Sequence, residues 1–266
     1  MNENFSTTPK SNTANPDVIY GIHAIIEAID AGRQVNKLFL QEATKGDAIE
    51  SLRTLARKNH VYVQNVPKEK LNRFTTKNHQ GAVALVSPVV YYRIADILPQ
   101  IFESGETPLV LVLDRITDVR NLGAIARSAV CAGVHCIVIP IADAALVTSD
   151  ALKTSAGSLN IIPVCREYNL AWVLDFMQKS GLNVVAATEK APITMYKADF
   201  TIPTAIVLGS EETGISMELL RICNDKVAIP ITNLISSLNV SVAAGVVLFE
   251  AVRQRQSFIE SPVTTQ

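Results

Sequence analysis

Two rhythms of apolar residues run along the chain. In its second half they form unbroken runs: Leu109-Val110-Leu111-Val112-Leu113, Cys136-Ile137-Val138-Ile139, Val184-Val185-Ala186-Ala187 and Ala205-Ile206-Val207-Leu208. Runs of that length suit strands buried on both faces. Helix-like stretches lie between them at about 123–132, 151–155, 170–179 and 216–223. A final apolar helix is expected over about 239–253. Strands alternating with helices predict an α/β fold, a parallel sheet with helices on both faces. The pattern leaves the strand order open. No GxGxxG follows the first strand, so a dinucleotide site of that type is not supported.

The first half is more finely divided. Ile22–Ile29 reads as an apolar helix and Lys37–Leu40 as a short strand. Residues 49–58 place Ile49, Leu52, Leu55 and Ala56 on one helical face. Val61–Val63 is a strand, a helix follows Pro67, and Ala82–Val86 is a last strand. These elements make a small α/β domain over residues 18–88. Residues 89–106 carry Pro99 and Ser104-Gly105 and read as a linker holding one short helix near 94–102. The catalytic-type domain is expected over 107–256. Polar tails are expected at 1–17 and 257–266.

Composition narrows the class. Hydrophobic residues make up 48% of the 266 and charged residues 18%, which suits a globular enzyme. The four cysteines form no CxxC pair, so neither a metal site nor a disulfide framework is suggested. The absence of a run of about 18 apolar residues argues against a membrane span. A reducing cytoplasm is the expected setting. The net charge of −1 hides an asymmetry. Residues 18–88 hold ten Lys/Arg against six acids, and residues 107–266 hold twelve against fourteen. Basic charge therefore gathers in the first domain, as ordinary solvated surface or as an electrostatic footprint for nucleic acid.

Three segments carry candidate chemistry. Ser237-Leu238-Asn239 stands at the mouth of the last helix, where free N–H groups and the helix dipole can hold something polar or negative. Behind it lie the small residues Ser241, Ala243, Ala244 and Gly245. Asn121-Leu122-Gly123-Ala124-Ile125-Ala126-Arg127-Ser128 follows the first buried strand. Val207-Leu208-Gly209-Ser210-Glu211-Glu212-Thr213-Gly214 follows the fourth, with glycines that permit a tight turn. Taken singly, Arg127 reads as a surface arginine. Asn121 and Asn239 read as helix caps, and the glycine loop as an ordinary strand-to-helix turn.

Together, in this order and spacing, the three segments resemble the signature motifs of the SpoU (TrmH-like) ribose 2'-O-methyltransferases, a branch of the SPOUT superfamily. The resemblance covers about the last 150 residues. It implies a SPOUT domain with a C-terminal trefoil knot, which general topology rules would exclude. It also implies a homodimer, S-adenosylmethionine as cofactor, RNA as substrate and no metal. By resemblance Arg127, Asn121, Glu211, Ser237 and Asn239 are catalytic, while Gly209, Ile229, Pro230, Leu238 and Thr188 bind the cofactor. The Asp-Pro usual in the first motif is Asp118-Val119 here, and Asn233 stands where glycine is common. More weakly, Tyr20–Ala24 and His79–Ala84 resemble the L30e-like RNA-binding domain attached to many SpoU enzymes. That layout is most similar to the bacterial 23S rRNA guanosine 2'-O-methyltransferases. A tRNA target, or a non-catalytic RNA-binding assembly factor, are the alternatives.

Overall fold

The structure, a computed structural model, describes residues 17–232 and 237–260, the side chains of 257–260 excepted. Asn233, the departure noted above, lies outside the described residues, as does nearly all of the first expected tail. The chain divides into two compact units, 1–86 and 87–266.

In the first unit the elements are β1 (Val18–Tyr20), α1 (Ile22–Asp30), β2 (Val35–Gln41), α2 (Asp47–Lys58), β3 (Val63–Val66), α3 (Lys68–Asn72) and β4 (Ala82–Val86). The sheet order is β1-β4-β2-β3. One face is packed by α1 and α2: Ile25, Ile29, Ile49, Leu52 and Ala56 close over Leu38, Leu40, Ala82 and Ala84. The β4 entry turn is built by His79. Its Nδ1 accepts the Gly81 N–H at 3.0 Å, so Nε2 carries the proton and donates to Asn72 Oδ1 at 3.0 Å. Gly81 has φ +80°, a left-handed conformation natural to glycine.

The second unit begins with β5 (Tyr91–Tyr92) and α4 (Ile94–Glu103), followed by β6 (Leu109–Asp114), α5 (Val119–Cys131), β7 (Cys136–Pro140), α6 (Ser149–Thr154) and β8 (Val164–Glu167). Next come α7 (Leu170–Lys179), β9 (Asn183–Ala187), β10 (Ile193–Thr194), β11 (Thr204–Gly209), α8 (Met217–Ile222), β12 (Asp225–Ala228) and α9 (Val240–Glu260). The eight strands run β10-β12-β9-β11-β6-β7-β8-β5, with every pairing parallel. The expected parallel sheet is present. Alternation along β6 sorts the two cores: Leu109, Leu111 and Leu113 face α5 and α9, whereas Val110 and Val112 face α4, α7 and α8.

Residues 89–106, expected as a linker, are packed into this unit. Arg93 Nη2 meets the buried Glu167 Oε2 at 2.6 Å, and Glu167 Oε1 accepts the Ile94 N–H at 2.8 Å. Ile94, Leu98 and Ile101 are buried in the core. A buried carboxylate needs such partners, and here they anchor the N-terminus of α4 to the end of β8. Helix α9 also runs past 253 to Glu260, so the second expected tail begins inside a helix.

The strand order places a reversal between β6 and β11. From β6 the chain passes through α5 to β7 on one side. From β11 it passes through α8 to β12 on the other, and β11 itself lies between β6 and β9. In open parallel sheets, ligand sites form at the carboxyl ends of strands at such a switch point.

Candidate functional site

Three loops meet at the carboxyl ends of β6 and β11. The first is the turn into α5. Asp118 caps that helix, its Oδ1 accepting the Arg120 N–H at 2.7 Å. The Arg120 guanidinium binds the same carboxylate and holds its pKa below the usual range. Asn121 is therefore not the cap, as its position suggested, but lies in the first turn with its amide free to reach outward.

The second is the loop after β11. Ser210 O accepts the Gly214 N–H at 2.8 Å, and the hydroxyls of Ser210 and Thr213 are 2.9 Å apart. Gly209 admits no side chain: a Cβ there would sit 2.1 Å from backbone atoms of Gly214 and Ile215. This turn folds back on its own strand so closely that only glycine fits.

The third is the mouth of α9. Asn239 caps the helix, its Oδ1 accepting the Ser241 N–H at 2.9 Å and the Val242 N–H at 3.4 Å. Its Nδ2 donates to Asn121 Oδ1 at 3.1 Å and to Glu211 Oε1. Glu211 Oε1 also accepts Asn121 Nδ2 at 3.1 Å and the Val240 N–H at 3.3 Å. One carboxylate oxygen thus gathers three donors from two other loops. The mouth of α9 was expected to hold something polar or negative. The protein supplies that group itself: Glu211 lies at the positive end of the helix.

Beside this network opens a pocket of about 250 Å³. Its walls include Leu208, Gly209, Ile229, Ile231 and Leu238, with Thr188, Ser210 and Ser237 supplying hydroxyls and Glu189 and Glu212 acids. Of the ten expected site residues, Glu211, Ser237, Gly209, Ile229, Leu238 and Thr188 line it. Asn121 and Asn239 adjoin it through Glu211. Pro230 is exposed between two lining isoleucines. Arg127 stands apart, exposed on α5 with no hydrogen bond or ion pair among the described residues. Six residues after Asn121, it is about 9 Å further along the axis.

Sequence reasoning missed Asp114 and Arg115. Asp114 is 4% exposed at the end of β6. Its Oδ2 accepts the Ser216 N–H at 2.7 Å, and both its oxygens bind Arg115. Arg115 also donates to Thr213 Oγ1 and Gly214 O, each at 3.0 Å. Its bonds to Asp114 raise the guanidinium pKa. Together the pair clamps the Ser210–Gly214 loop to β6. Arg115 has φ +59°, a conformation costly without such anchoring. The only available signal was an acid closing an apolar run.

Comparison with known proteins gives these features a context. Residues 108–249 match the model of the SpoU rRNA methylase family, and residues 18–92 match an RNA 2'-O ribose methyltransferase substrate-binding model. A Bacillus subtilis protein, YacO, named for the TrmH family of tRNA/rRNA methyltransferases, is 36% identical over 239 residues, covering 90% of this chain and 96% of that one. A Pseudomonas putida protein named 23S rRNA (guanosine-2'-O-)-methyltransferase RlmB is 37% identical over 240 residues, covering 90% and 96%. Among solved structures, the SpoU methyltransferase AviRb from Streptomyces viridochromogenes, crystallised with AdoMet, superposes with a TM-score of 0.58 at 28% identity, covering 90% of each chain.

Proposed function

The chain belongs to the SpoU rRNA methylase family of RNA 2'-O-methyltransferases, and from that premise we propose that it methylates the ribose 2'-hydroxyl of a guanosine in 23S rRNA, using S-adenosylmethionine. The observation that carries this reading is the juxtaposition at the switch point of an apolar slot and a polar, carboxylate-centred network. An apolar slot with a few hydroxyls and backbone groups at its rim fits an adenosine. Glu189, Glu211 and Glu212 suit a ligand bearing a sulfonium and an ammonium. Gly209, Ile229, Pro230, Leu238 and Thr188 are the residues proposed to hold it. The cofactor supplies an electrophilic methyl group on a good neutral leaving group.

The protein's task is then to position a weak nucleophile and help it lose a proton. Asn121, Asn239 and Glu211 fix one another, so that the polar wall stays rigid beside Ser237. Arg127 presents a guanidinium, a fork of N–H donors with no acceptor. Its proposed role is to grip the substrate phosphate and 2'-oxygen and to stabilise the charge that develops there. An exposed arginine without internal partners is suited to that task.

The rRNA reading rests on relatives that match 90% of the chain, across both units. A trefoil knot in the second unit is part of the proposal, supported by the entry of β11 between β6 and β9. So is a homodimer: Val242 and Phe249 of α9, 52% and 51% exposed, lie with Val246 on one helical stripe. Sedimentation velocity at micromolar concentration reads the second point directly. We place the protein in the cytoplasm with the ribosome. Among the described residues no helix is long and apolar enough to cross a membrane, and no cluster of His, Cys, Asp and Glu could hold a metal.

The test is ribose-methylation mapping of 23S rRNA and tRNA from cells with and without the gene, joined to calorimetry with S-adenosylmethionine. Loss of one 2'-O-methylguanosine in 23S rRNA is expected. Loss confined to tRNA would redirect the substrate. Absence of any cofactor affinity would leave only an RNA-binding assembly factor.

A further inference from the structure

The sheet of the first unit has a second face that α1 and α2 do not cover. Register places Tyr20, Val83, Phe39 and Gln64 in one row across it. Val18, Leu85 and Lys37 form the next row, continued by Tyr62, whose carbonyl accepts the Leu38 N–H. The short helix α3 covers only part of this face, setting Leu71 against Phe39, Val66 and Val83. Val18, Tyr20, Lys37, Tyr62, Gln64 and Leu85 remain half-buried.

The chemistry of this face differs from the opposite one. The opposite core is aliphatic. All four aromatic residues between positions 17 and 86, Tyr20, Phe39, Tyr62 and Phe74, belong to this face, and Phe39 and Phe74 stack with ring centres 5.0 Å apart. Three lysines hang over these rings. Lys37 Nζ lies 5.3 Å from the Phe39 centre and 5.0 Å from that of Tyr62. Lys70 is 5.4 Å from Phe39, and Lys77 is 5.9 Å from Tyr20. The covering segment, residues 67–79, carries Lys68, Lys70, Arg73 and Lys77 against one acid, Glu69. Gln64 Oε1 is buried on this face with no hydrogen-bond partner among the described residues, a state that normally calls for a partner.

From this we infer that the face is a docking platform for a single-stranded segment of the RNA substrate; the inference rests on the RNA reading above. Bases stack on Tyr20 and Tyr62. The lysines, held above the rings in the free protein, swing to the phosphates. Stacking requires bases that are not already stacked in a duplex, so a loop or bulge fits and a continuous A-form helix does not. The basic charge supplies the complementarity and the salt dependence.

The test uses the full chain and a fluorescein-labelled 12-nucleotide single-stranded RNA, with the same sequence in a duplex as comparator. In fluorescence anisotropy, the triple variant K37Q/K70Q/K77Q is expected to bind the single strand at least about tenfold more weakly, with the log–log salt slope shallower by about 2, as loss of three phosphate contacts gives. The arginine triple K37R/K70R/K77R is expected to keep both. Y20L/Y62L is expected to lose about tenfold or more with the salt slope unchanged, since stacking rather than charge is removed. Circular dichroism and affinity for S-adenosylmethionine, whose pocket lies in the other unit, report folding. Wild-type affinity in the glutamine triple, or equal binding of duplex, overturns the platform. If the wild-type protein transfers no methyl group but the lysine and tyrosine effects appear, the platform stands and the enzymatic reading falls. If it transfers methyl groups and the variants bind as wild type, the reverse holds.

Discussion

Asn239 has two jobs that substitution can separate. Its carbonyl oxygen caps α9, and its amide nitrogen donates to Asn121 and Glu211. Asn239→Ala removes both. Loss of the cap costs about 1 kcal/mol, and loss of the exposed amide bonds adds up to about 1 kcal/mol more. For a unit of this size that lowers the melting temperature by roughly 2–8 °C. Asn239→Asp keeps an equally good cap oxygen at the helix N-terminus. It loses both donors and sets a second carboxylate against Glu211. Two carboxylates in contact cannot both ionise easily, so the upper pKa of the pair rises. A group whose folded pKa is raised stabilises below its unfolded value, near 4 for a carboxylate, and loses that contribution as pH climbs through the raised value. The Asp variant should therefore be nearest wild-type stability at the acid end of the range and progressively weaker toward neutrality. Adding Glu211→Gln should remove that pH dependence. Methyl transfer at pH 8 should fall by at least about tenfold in Asn239→Asp. Scanning calorimetry from pH 5 to 8 with single-turnover methyl transfer checks both. If Asn239→Asp turns over normally at pH 8, Asn239 is a cap and nothing more, and the rigid-wall argument fails.

Other outcomes follow from the same geometry. Arg127→Ala should leave stability within about 0.5 kcal/mol and cofactor affinity unchanged while abolishing methyl transfer; near-normal turnover would remove Arg127 from the mechanism. Gly209→Ala should destabilise the unit by more than about 2 kcal/mol or displace the Ser210–Gly214 loop, because the new Cβ meets backbone rather than a flexible side chain; calorimetry and cofactor titration would both register it. Arg93→Ala should cost about 2–4 kcal/mol by removing the cation that faces the buried Glu167 Oε2, measured by urea unfolding. Cys131 is exposed, while burial pushes the Cys223 thiol up to about 11; iodoacetamide at pH 8 should label Cys131 and spare Cys223, as peptide mass spectrometry would read.

What the sequence made legible follows from which forces leave a mark on residue type. The four apolar runs became β9, β11, β6 and β7, contiguous at the centre of the sheet, because strands buried on both faces must be apolar throughout. The strands flanking them were missed. β8 ends in Arg166 and Glu167, and β12 begins with Asp225 and Lys226, so no run stands out. Arg166 finds its partners in the tertiary structure: it donates to Ile141 O at 3.0 Å and lies 5.1 Å from the Tyr91 ring centre. Burial lowers its pKa, and nothing local to the sequence announces such a partner. The same partners explain why residues 89–106 read as a linker. Pro99 and Ser104-Gly105 were visible, but the buried carboxylate that fastens the segment lies more than 70 residues away.

The site shows a sharper version of the same division. Asn121, Glu211 and Asn239 are separated by 90 and 28 residues, yet each sits beside a small-residue or glycine signal that marks a close approach. Gly209, which no other residue can replace without moving Gly214, is the clearest. Arg115 has no such mark. An arginine at positive φ resembles any other arginine in sequence, and its role is set by Asp114, Thr213 and Gly214 together. The polar mouth of α9 lies between these cases. Its residues predicted a negative occupant, and the helix dipole does favour one. The occupant is Glu211, contributed by the loop after β11, so the mouth serves to hold a carboxylate still. On the function proposed above, a ligand at this site would meet a wall whose charge and hydrogen bonds are already arranged, and the protein need not reorganise them during the reaction.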